Sequence, residues 1–512
     1  MTGEDLMAEK NSVQQQEDLK DLSNKTISGM IWKFGERITA QLVSTIVAIV
    51  LARILMPADY GVVALVTIFI TICNVFVSSG FGSALIQKKN ADNVDFSSVL
   101  YISVLFSVIL YLILFFASPF IASFYHNELI SPVLRVMGLR LPIAAINSVQ
   151  HAYVARKMEF RKFFVATIFG TIISGVVGVW MAKAGYGVWA LVAQYNINVI
   201  IDTVILGIVI KWKPDLVFSF KRVKSLFGFG GKILLSALID TGYHQLQGLI
   251  IGKKFSSEDL AYYEKGQQFP SLIASNINVS LNGVLLSSMS KLQDDRTKIK
   301  DATRKSIKLC SFILVPCMMG LAVVGENFVH VLLTDKWMFM LPFLYIYCVS
   351  YSFWPLHTAN LTAIQAIGRS DLFLILEICK KVIGLVFIII ATIFGNPFWI
   401  AMTAVFTMVT SFLINAFPNR KLLHYGYLEQ IKDITPSIIM SIIMGIPVYF
   451  MNYINMFRPL ILALQVITGI ILYIIIAKIS KNKEYNYLIK KIKSYRKDKK
   501  REEKIDSDIQ IL

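Results

Sequence analysis

Charged residues are scarce in this chain of 512 residues. They make up 16% of the sequence and hydrophobic residues 55%, whereas a soluble domain carries about a quarter charged residues. Much of the surface must therefore face something other than water. This composition argues against a soluble globular protein and favours one embedded in lipid.

Motifs that hold metals, cofactors or nucleotides are also missing. Gly228-Phe229-Gly230-Gly231-Lys232 resembles a phosphate-binding loop, but the earlier glycine is not at the required spacing and Ile233 stands where Ser or Thr is needed. The five cysteines lie inside apolar runs, without metal-site spacing: Cys73, Cys310, Cys317, Cys348 and Cys379. We expect no metal site, no cofactor and no nucleotide site.

Long polar loops are a third absence. Hydrolysis or glycosyl transfer needs converging acids in a shaped pocket outside the lipid, and every loop between the apolar runs is too short to build one. Asp294-Asp295 lies in a charge-rich loop and is interpreted as a solvated turn. We therefore predict that the protein is not an enzyme.

Long apolar runs dominate what is present. A helix needs about twenty largely apolar residues to cross the hydrocarbon. The first twenty-five residues are polar, so we expect no cleavable signal peptide. Fourteen membrane spans are predicted, near 27–52, 60–85, 97–123, 129–153, 163–184, 187–210, 226–252, 267–290, 304–325, 340–366, 371–394, 396–417, 434–455 and 458–478.

The distribution of lysine and arginine predicts the orientation. They concentrate in alternate loops, which the positive-inside rule places in the cytoplasm, and an even number of spans puts both termini there. We attribute the net charge of +18 to loops that touch anionic lipid, and we expect no nucleic-acid partner. Inner loops are those near Lys88, Lys221 and Lys300, and outer loops those near Asp59, His126 and Ser257.

The chain also repeats itself. Pro57-Ala58-Asp59-Tyr60-Gly61 is echoed two hundred residues later by Ser257-Glu258-Asp259-Leu260-Ala261, and internal duplication is frequent in transporters. We predict two lobes of six helices with two helices added. The expected segments are a polar cytoplasmic N-terminus (1–26), an N-lobe (27–210), a cytoplasmic linker (211–225), a C-lobe (226–417), helices 13 and 14 (434–478) and a basic cytoplasmic tail (479–512).

Several stretches, in this order, resemble a known family. The sequence is similar to the polysaccharide transporters, the Wzx-type members of the MOP flippase superfamily, over roughly residues 25 to 425. The stretches are Leu51-Ala52-Arg53-Ile54-Leu55 with Asp59-Tyr60-Gly61, Phe81-Gly82-Ser83-Ala84-Leu85-Ile86, Gly185-Tyr186-Gly187-Val188-Trp189-Ala190-Leu191, and Val324-Gly325-Glu326-Asn327-Phe328 with Asp335-Lys336-Trp337.

This resemblance implies an all-α integral membrane fold with two pseudosymmetric six-helix lobes around a central cavity. It implies a flippase in the bacterial cytoplasmic membrane that exports oligosaccharide units linked to undecaprenyl diphosphate, for O antigen, capsule or exopolysaccharide. Partners would be that lipid-linked oligosaccharide and membrane lipid, with other glycan-assembly membrane proteins as candidates. The glycan and the coupling ion, proton or sodium, stay open.

Ionised residues inside the predicted spans are the candidate site. A charge at the bilayer centre costs about 2.5–3.5 kcal/mol on insertion scales, so the ones that persist mostly face a cavity or a partner. We predict that cations in the cavity receive the diphosphate, with Arg140 first because Gly138 and Pro142 would let its helix bend or open. The predicted substrate-binding residues are Arg140, Arg37, Arg135, Lys381 and Asn278.

Three further residues are predicted to serve coupling. Asp240 and His244 lie four apart and share a helix face, and Asp202 lies near the middle of the sixth span. A proton taken up there would bias the transport states. The alternative is mutual neutralisation, in which Glu377 pairs with Lys381, or Arg140 with Asp202 across helices.

Two other functions remain as alternatives. A MATE-like, cation-coupled multidrug antiporter would share the architecture but would need a cavity dominated by acids, whereas here arginines compete with them. An integral membrane enzyme of glycan assembly would be expected to carry a large outer loop.

Overall fold

The computed structural model describes residues 35, 38–78, 81–88, 90–290, 295–491 and 493–494, without the side chains at 81, 83, 228–229, 279–288 and 290. Arg37, the segment 1–26 and tail residues 495–512 lie outside the described residues. Within these ranges every element of regular secondary structure is a helix, as predicted. They are α1 (Ile38–Ile54), α2 (Pro57–Ser78), α3 (Phe81–Gln87), α4 (Asn93–Phe124), α5 (Ile130–Gly138), α6 (Arg140–Lys157), α7 (Arg161–Lys183), α8 (Val188–Ile210), α9 (Phe220–Lys254), α10 (Ser257–Ser290), α11 (Arg296–Val323), α12 (Gly325–Leu332), α13 (Leu341–Ser352), α14 (Trp354–Ala366), α15 (Ser370–Ile393), α16 (Pro397–Leu422), α17 (Tyr427–Phe450) and α18 (Arg458–Ile479), with 3₁₀ turns at Asp335–Met340 and Met451–Tyr453.

Ten of the predicted spans correspond to helices long and apolar enough to cross a membrane. Of the other four, α1 is shorter, and α9, α10 and α15 carry more polar or charged residues. The multi-pass character is therefore confirmed, and the count of fourteen stays a prediction. The ten are Pro57–Ser78, Asn93–Phe124, Ile130–Lys157, Arg161–Lys183, Val188–Ile210, Arg296–Val323, Asp335–Ala366, Pro397–Leu422, Tyr427–Tyr453 and Arg458–Ile479.

Several helices begin well before the apolar run that predicted them. α9 begins at Phe220 rather than at 226, and α11 begins at Arg296 rather than at 304. Their first turns are polar, and helical backbone hydrogen bonds need no apolar side chain, so hydropathy does not detect these turns. Asp295 caps α11 by accepting a 3.0 Å hydrogen bond from the Lys298 backbone N–H.

The chain forms two compact units, Met1–Ala261 and Tyr262–Leu512. The predicted lobes divide the chain at the linker instead. The difference arises because α9 packs against α2, α3 and α4, and so joins the first unit. The lobe boundaries stay a prediction.

In the first unit, α7 and α8 pack along each other through small residues. A Cβ at Gly178 would lie 3.0 Å from the Gln194 Cβ, and one at Gly170 would lie 3.2 Å from the Asn198 carbonyl oxygen. Lipid tails are as apolar as leucine, so membrane helices associate by such close packing rather than by the hydrophobic effect. This contact sets the position of α8, which carries Asp202.

The linker between α8 and α9 is fastened to the first turns of α4. The Ser97 and Ser98 hydroxyls accept hydrogen bonds from the backbone N–H groups of Asp215 (2.8 Å) and Ser219 (3.0 Å). Just before α4, a hydrogen bond from Arg222 lowers the pKa of the Asp92 carboxyl from 3.8 to about 2. The expected linker is thus hydrogen-bonded to α4. α9 begins at Phe220, within the range 211–225 that was predicted for this linker.

In the second unit, α11 packs against α13, α14 and α17, and α15 packs against α16. Amides tie α18 to the unit: Gln465 accepts from Asn327 at 3.0 Å and donates to Asn452 at 2.7 Å. A core between α11, α14, α16 and α17 lies beside the site described below, and it contains Ile299, Ile307, Leu356, Ala359, Ala363, Phe412, Ala416, Leu423, Tyr425 and Ile434.

The repeat seen in the sequence has the same local structure in both copies. The Asp59 carboxylate accepts from the backbone N–H of Met56 at 3.1 Å, and the Asp259 carboxylate accepts from that of Ser256 at 3.1 Å. These caps start α2 and α10. The two segments also touch, because a Cβ on Gly61 would lie 1.7 Å from the Ser257 carbonyl oxygen, so only glycine fits there.

Candidate functional site

The fourth predicted span is broken. α5 ends at Gly138 and α6 begins at Arg140. Pro142 has no N–H to bond the carbonyl of Gly138 four residues earlier, which interrupts the helix. A Cβ on Gly138 would lie 2.9 Å from the Tyr111 ring, so glycine allows α4 to pack at the break. The sequence analysis expected a single span that could bend or open at this point, and the structure has two helices there, α5 and α6.

Arg140 is the first residue after this break. Its guanidinium lies over the ring of Tyr195 on α8, 5.5 Å from the ring centroid, and the residue is half-buried. An aromatic face holds a cation without neutralising it. The ion pair with Asp202 weighed above is not formed between these two described residues.

Arg135 has a different environment on α5. Pro119 within α4 frees the carbonyl of Phe115. The Arg135 Nε donates to the Ser118 hydroxyl at 2.9 Å and to that carbonyl at 3.4 Å, and the guanidinium lies 4.5 Å from the centroid of the Phe115 ring. This arginine therefore compensates a helix irregularity, and we propose that role for it in place of the predicted contact with substrate.

Asp202 belongs to a polar cluster between α6 and α8. Its Oδ2 accepts a 2.7 Å hydrogen bond from the Asn147 amide and lies 3.4 Å from the His151 Nε2. The His151 ring stacks on Phe163 at 4.5 Å. The Asp202 Oδ1 is buried without a hydrogen-bond partner among the described residues. Sequence reasoning missed His151, although its spacing of four from Asn147 on α6 would have placed the two on one face.

The second unit contains a matching break in the tenth predicted span, which is the fourth of its half. α13 ends at Ser352 and α14 begins at Trp354, followed by Pro355. Interrupted helices at corresponding positions of two halves are the best sequence-level pointer to a transport site. His357 follows this break as Arg140 follows the first, and the sequence analysis did not select it.

Lys380 of α15 reaches His357. Its ammonium donates to the Glu377 carboxylate at 2.5 Å and lies 3.2 Å from the His357 Nε2. Glu377 thus pairs with Lys380, three residues on, which the sequence analysis did not select, and the expected pair of Glu377 with Lys381 stays a prediction. Lys380 is buried and Lys381 half-buried, because successive residues of a helix point about 100° apart.

The remaining candidates lie elsewhere in their units. Asp240 and His244 do share a face of α9, with 3.8 Å between Oδ1 and Nε2, and both side chains are more than half exposed in the first unit. Asn278 of α10 lines a cavity of about 10 Å³ beside Thr358, which is room for about one water molecule.

The chain is similar in sequence to a known family and to several known proteins. Residues 50–342 match the family described as polysaccharide biosynthesis protein. The succinoglycan biosynthesis transport protein ExoT of Rhizobium meliloti is 24% identical over 59% of this chain and 61% of its own length. The teichuronic acid biosynthesis protein TuaB of Bacillus subtilis is 23% identical over 58% and 62%, and the lipopolysaccharide biosynthesis protein WzxC of Escherichia coli is 21% identical over 64% and 67%. The matched region spans about three fifths of the length of the first two relatives.

Solved structures share the fold. The lipid II flippase MurJ in an inward closed conformation superposes with a TM-score of 0.72, covering 90% of this chain and 100% of that chain at 15% identity. An inward-facing MATE multidrug transporter of the MOP superfamily gives 0.59, covering 77% and 98% at 16% identity. The expected fold class is confirmed by these superpositions. Because the family match covers more than half of the chain, the protein belongs to the polysaccharide biosynthesis protein family.

Proposed function

We propose that this protein is a flippase that moves oligosaccharide units linked to undecaprenyl diphosphate across the bacterial cytoplasmic membrane. The observation that carries the proposal is Arg140, a half-buried guanidinium at the break of a membrane span, held by an aromatic ring. The family match supports a role in polysaccharide biosynthesis. The product would be O antigen, capsule or another exopolysaccharide, and the protein acts as a carrier rather than an enzyme.

The substrate explains why a cation is needed at depth. The diphosphate carries about two negative charges through a region that would otherwise reject it. A guanidinium stays charged and donates parallel hydrogen bonds to phosphate oxygens. Arg140 is assigned this contact, and Arg37, Lys381 and Asn278 remain proposed substrate-binding residues. The prenyl tail stays in the lipid.

The residues proposed for coupling are Asp202, Asp240 and His244. Asp202 is supported by its buried carboxylate oxygen without a partner among described residues, and by the adjacent His151. Asp240 and His244 are supported by their approach on one face of α9. A carboxylate and an imidazole in contact can exchange a proton with solvent during the cycle.

A cation-coupled multidrug antiporter is the alternative. It shares the fold, so the structural likeness does not separate the two functions. An exported cation would be repelled by Arg140 and attracted by a cavity dominated by acids. Arg140 therefore favours an anionic substrate.

Deletion of the gene tests the proposal. We expect lipid-linked sugars to accumulate, as measured by mass spectrometry of extracted lipids. We also expect surface glycan to be lost. Restoration by a plasmid copy is the control. Unchanged lipid-linked sugars together with increased sensitivity to cationic drugs would reject the flippase in favour of the antiporter.

The proposed orientation, with both termini in the cytoplasm, predicts a labelling pattern. In a background without the five native cysteines, single cysteines at exposed inner positions should resist an impermeant thiol reagent applied to intact cells, and those at outer positions should react. Labelling at position 298 from outside would contradict the orientation. The inner positions are Asn90, Lys221 and Lys298, and the outer ones are Met56, Glu128 and Glu258, all of which have exposed side chains.

A further inference from the structure

The second unit holds an ionised side chain in its interior. The Lys380 side chain is 6% exposed, and its partner Glu377 is 29% exposed. Burying an ammonium costs several kcal/mol unless hydrogen bonds and opposite charge compensate. Intramembrane ionisable groups are functional candidates by default, and the proposed diphosphate contact at Arg140 does not involve this one.

The hydrogen bonds define the protonation of His357. An ammonium only donates, so the His357 Nε2, 3.2 Å from the Lys380 Nζ, must accept. The imidazole is therefore neutral and carries its proton on Nδ1. That atom is buried without a hydrogen-bond partner among the described residues. The histidine is thus fixed in one tautomer by Lys380 alone.

The hydrogen bond between Lys380 and His357 connects two helices, α15 and α14. His357 lies in the first turn of α14, just after the break at Phe353, and α14 packs against α15 and α16. Asn415 of α16 donates to the His357 backbone carbonyl at 3.2 Å. The Lys380–His357 hydrogen bond therefore connects a half-span to α15 from one side, while Asn415 holds its backbone from the other.

We infer that His357, Lys380 and Glu377 form a proton-binding site. One proton from water binds the His357 Nε2, whose lone pair becomes an N–H bond, giving an imidazolium. Lys380 keeps its three protons and its bond to Glu377, but it loses its acceptor on α14 and now faces a like charge. The Lys380–His357 hydrogen bond that connects α14 to α15 is lost, and release of the proton restores it.

The surroundings of this site carry few other charges. On α15 these are Glu377 and Lys381. α13 offers tyrosines and Cys348, and the charged residues of α11 end at Lys308, whereas Ser306 and Cys310 face α14. α16 is charged only at Arg420 and Lys421, at its C-terminal end. Lys380 and Glu377 are therefore the main charges that influence proton binding at His357.

The ligand is a proton rather than a metal cation. The point between Glu377 and His357 is already held by an ammonium. A metal ion would have to take the place of that ammonium, whereas a proton needs only the lone pair of the His357 Nε2. Under the proposed function, this site supplies proton coupling that is separate from the residues assigned to coupling above.

Hydrogen–deuterium exchange of α14 in the purified full-length protein tests the site without any substrate. After correction for intrinsic exchange, we expect 354–366 to exchange several-fold faster at pH 4 than at pH 8, because burial and the adjacent ammonium both oppose an imidazolium nearer neutrality. His357→Gln, whose amide can accept from Lys380 but takes up no proton, should show no such difference. His330→Gln, the same change elsewhere in the unit, should behave as wild type. Lys380→Met should exchange at pH 8 as fast as wild type does at pH 4.

A pH response that persists in His357→Gln would overturn the proposal, as would slow exchange in Lys380→Met at pH 8. Replacing potassium chloride by sodium chloride at constant pH should change nothing, and a sodium-dependent change in wild type would overturn the exclusion of a metal ion. None of these outcomes depends on whether the protein flips a lipid. Failure of the flippase assay is therefore distinguishable from failure of this inference.

Discussion

Arg140→Ala is expected to abolish complementation of a flippase-deficient strain while the protein still inserts and accumulates. The guanidinium lies at the first turn of a half-helix, over the Tyr195 ring, where the helix dipole adds positive charge. Without it, the diphosphate would enter a low-dielectric region without the cation proposed as its main contact. Surface glycan, measured at matched protein amounts, is the readout.

Two further variants sharpen this test. Arg140→Lys should recover only part of the activity, because the charge returns without the planar fork that bonds two phosphate oxygens. Arg135→Ala is the matched control on the adjacent helix. It should cost about 1–3 kcal/mol of stability, since Ser118 and the Phe115 carbonyl lose a donor, yet leave transport per molecule largely intact. Normal glycan in Arg140→Ala would show that the diphosphate site lies elsewhere.

Arg304→Ala is expected to cause the largest loss of stability among the substitutions considered. Arg304 joins α11 to Asp433 of α17 through two hydrogen bonds, 2.8 Å from Nε and 2.9 Å from Nη2. The Asp433 side chain is only 5% exposed, and it retains Lys308 and Tyr425 as partners. Leaving a buried carboxylate short of its main partner should cost about 3 kcal/mol. Thermal unfolding in detergent, followed by intrinsic fluorescence, would measure a midpoint several degrees lower.

Arg369→Ala provides a control with the same geometry at the surface. Arg369 also makes a two-point contact with an aspartate, Asp371, at 2.8 and 2.7 Å, but both side chains are about half exposed. Water replaces that contact readily, so little change in the unfolding midpoint is expected. Equal shifts in the two variants would show that burial of Asp433 adds nothing to the pair.

Local features of this protein could be predicted from the sequence because they depend on neighbours along the chain. The apolar runs predicted helices that the structure contains, since hydropathy reports directly on lipid exposure. Gly138 and Pro142 predicted that the helix around Arg140 could bend or open, because a missing N–H acts four residues away. The approach of Asp240 and His244 follows from helical spacing alone.

Pairing between distant helices could not be predicted in this way. Spacings of three and four both allow an ion pair with Glu377, so the sequence could not show that Lys380 is the lysine buried beside it. Which lysine is buried depends on which side of α15 packs against α14, where His357 lies. For the same reason Asp202 meets Asn147 and His151 rather than Arg140.

The sequence by itself determined that this is a helical membrane protein with an internal repeat, a fourth span that can bend and the features of its family. Those properties come from composition and from interactions within about one helical turn. Only the tertiary structure decided which buried polar groups meet, including Lys380 with His357 and Arg140 with Tyr195. Such contacts depend on the rotation and depth of each helix against its neighbours, which small residues such as Gly170 and Gly178 set by close packing across long separations in the chain.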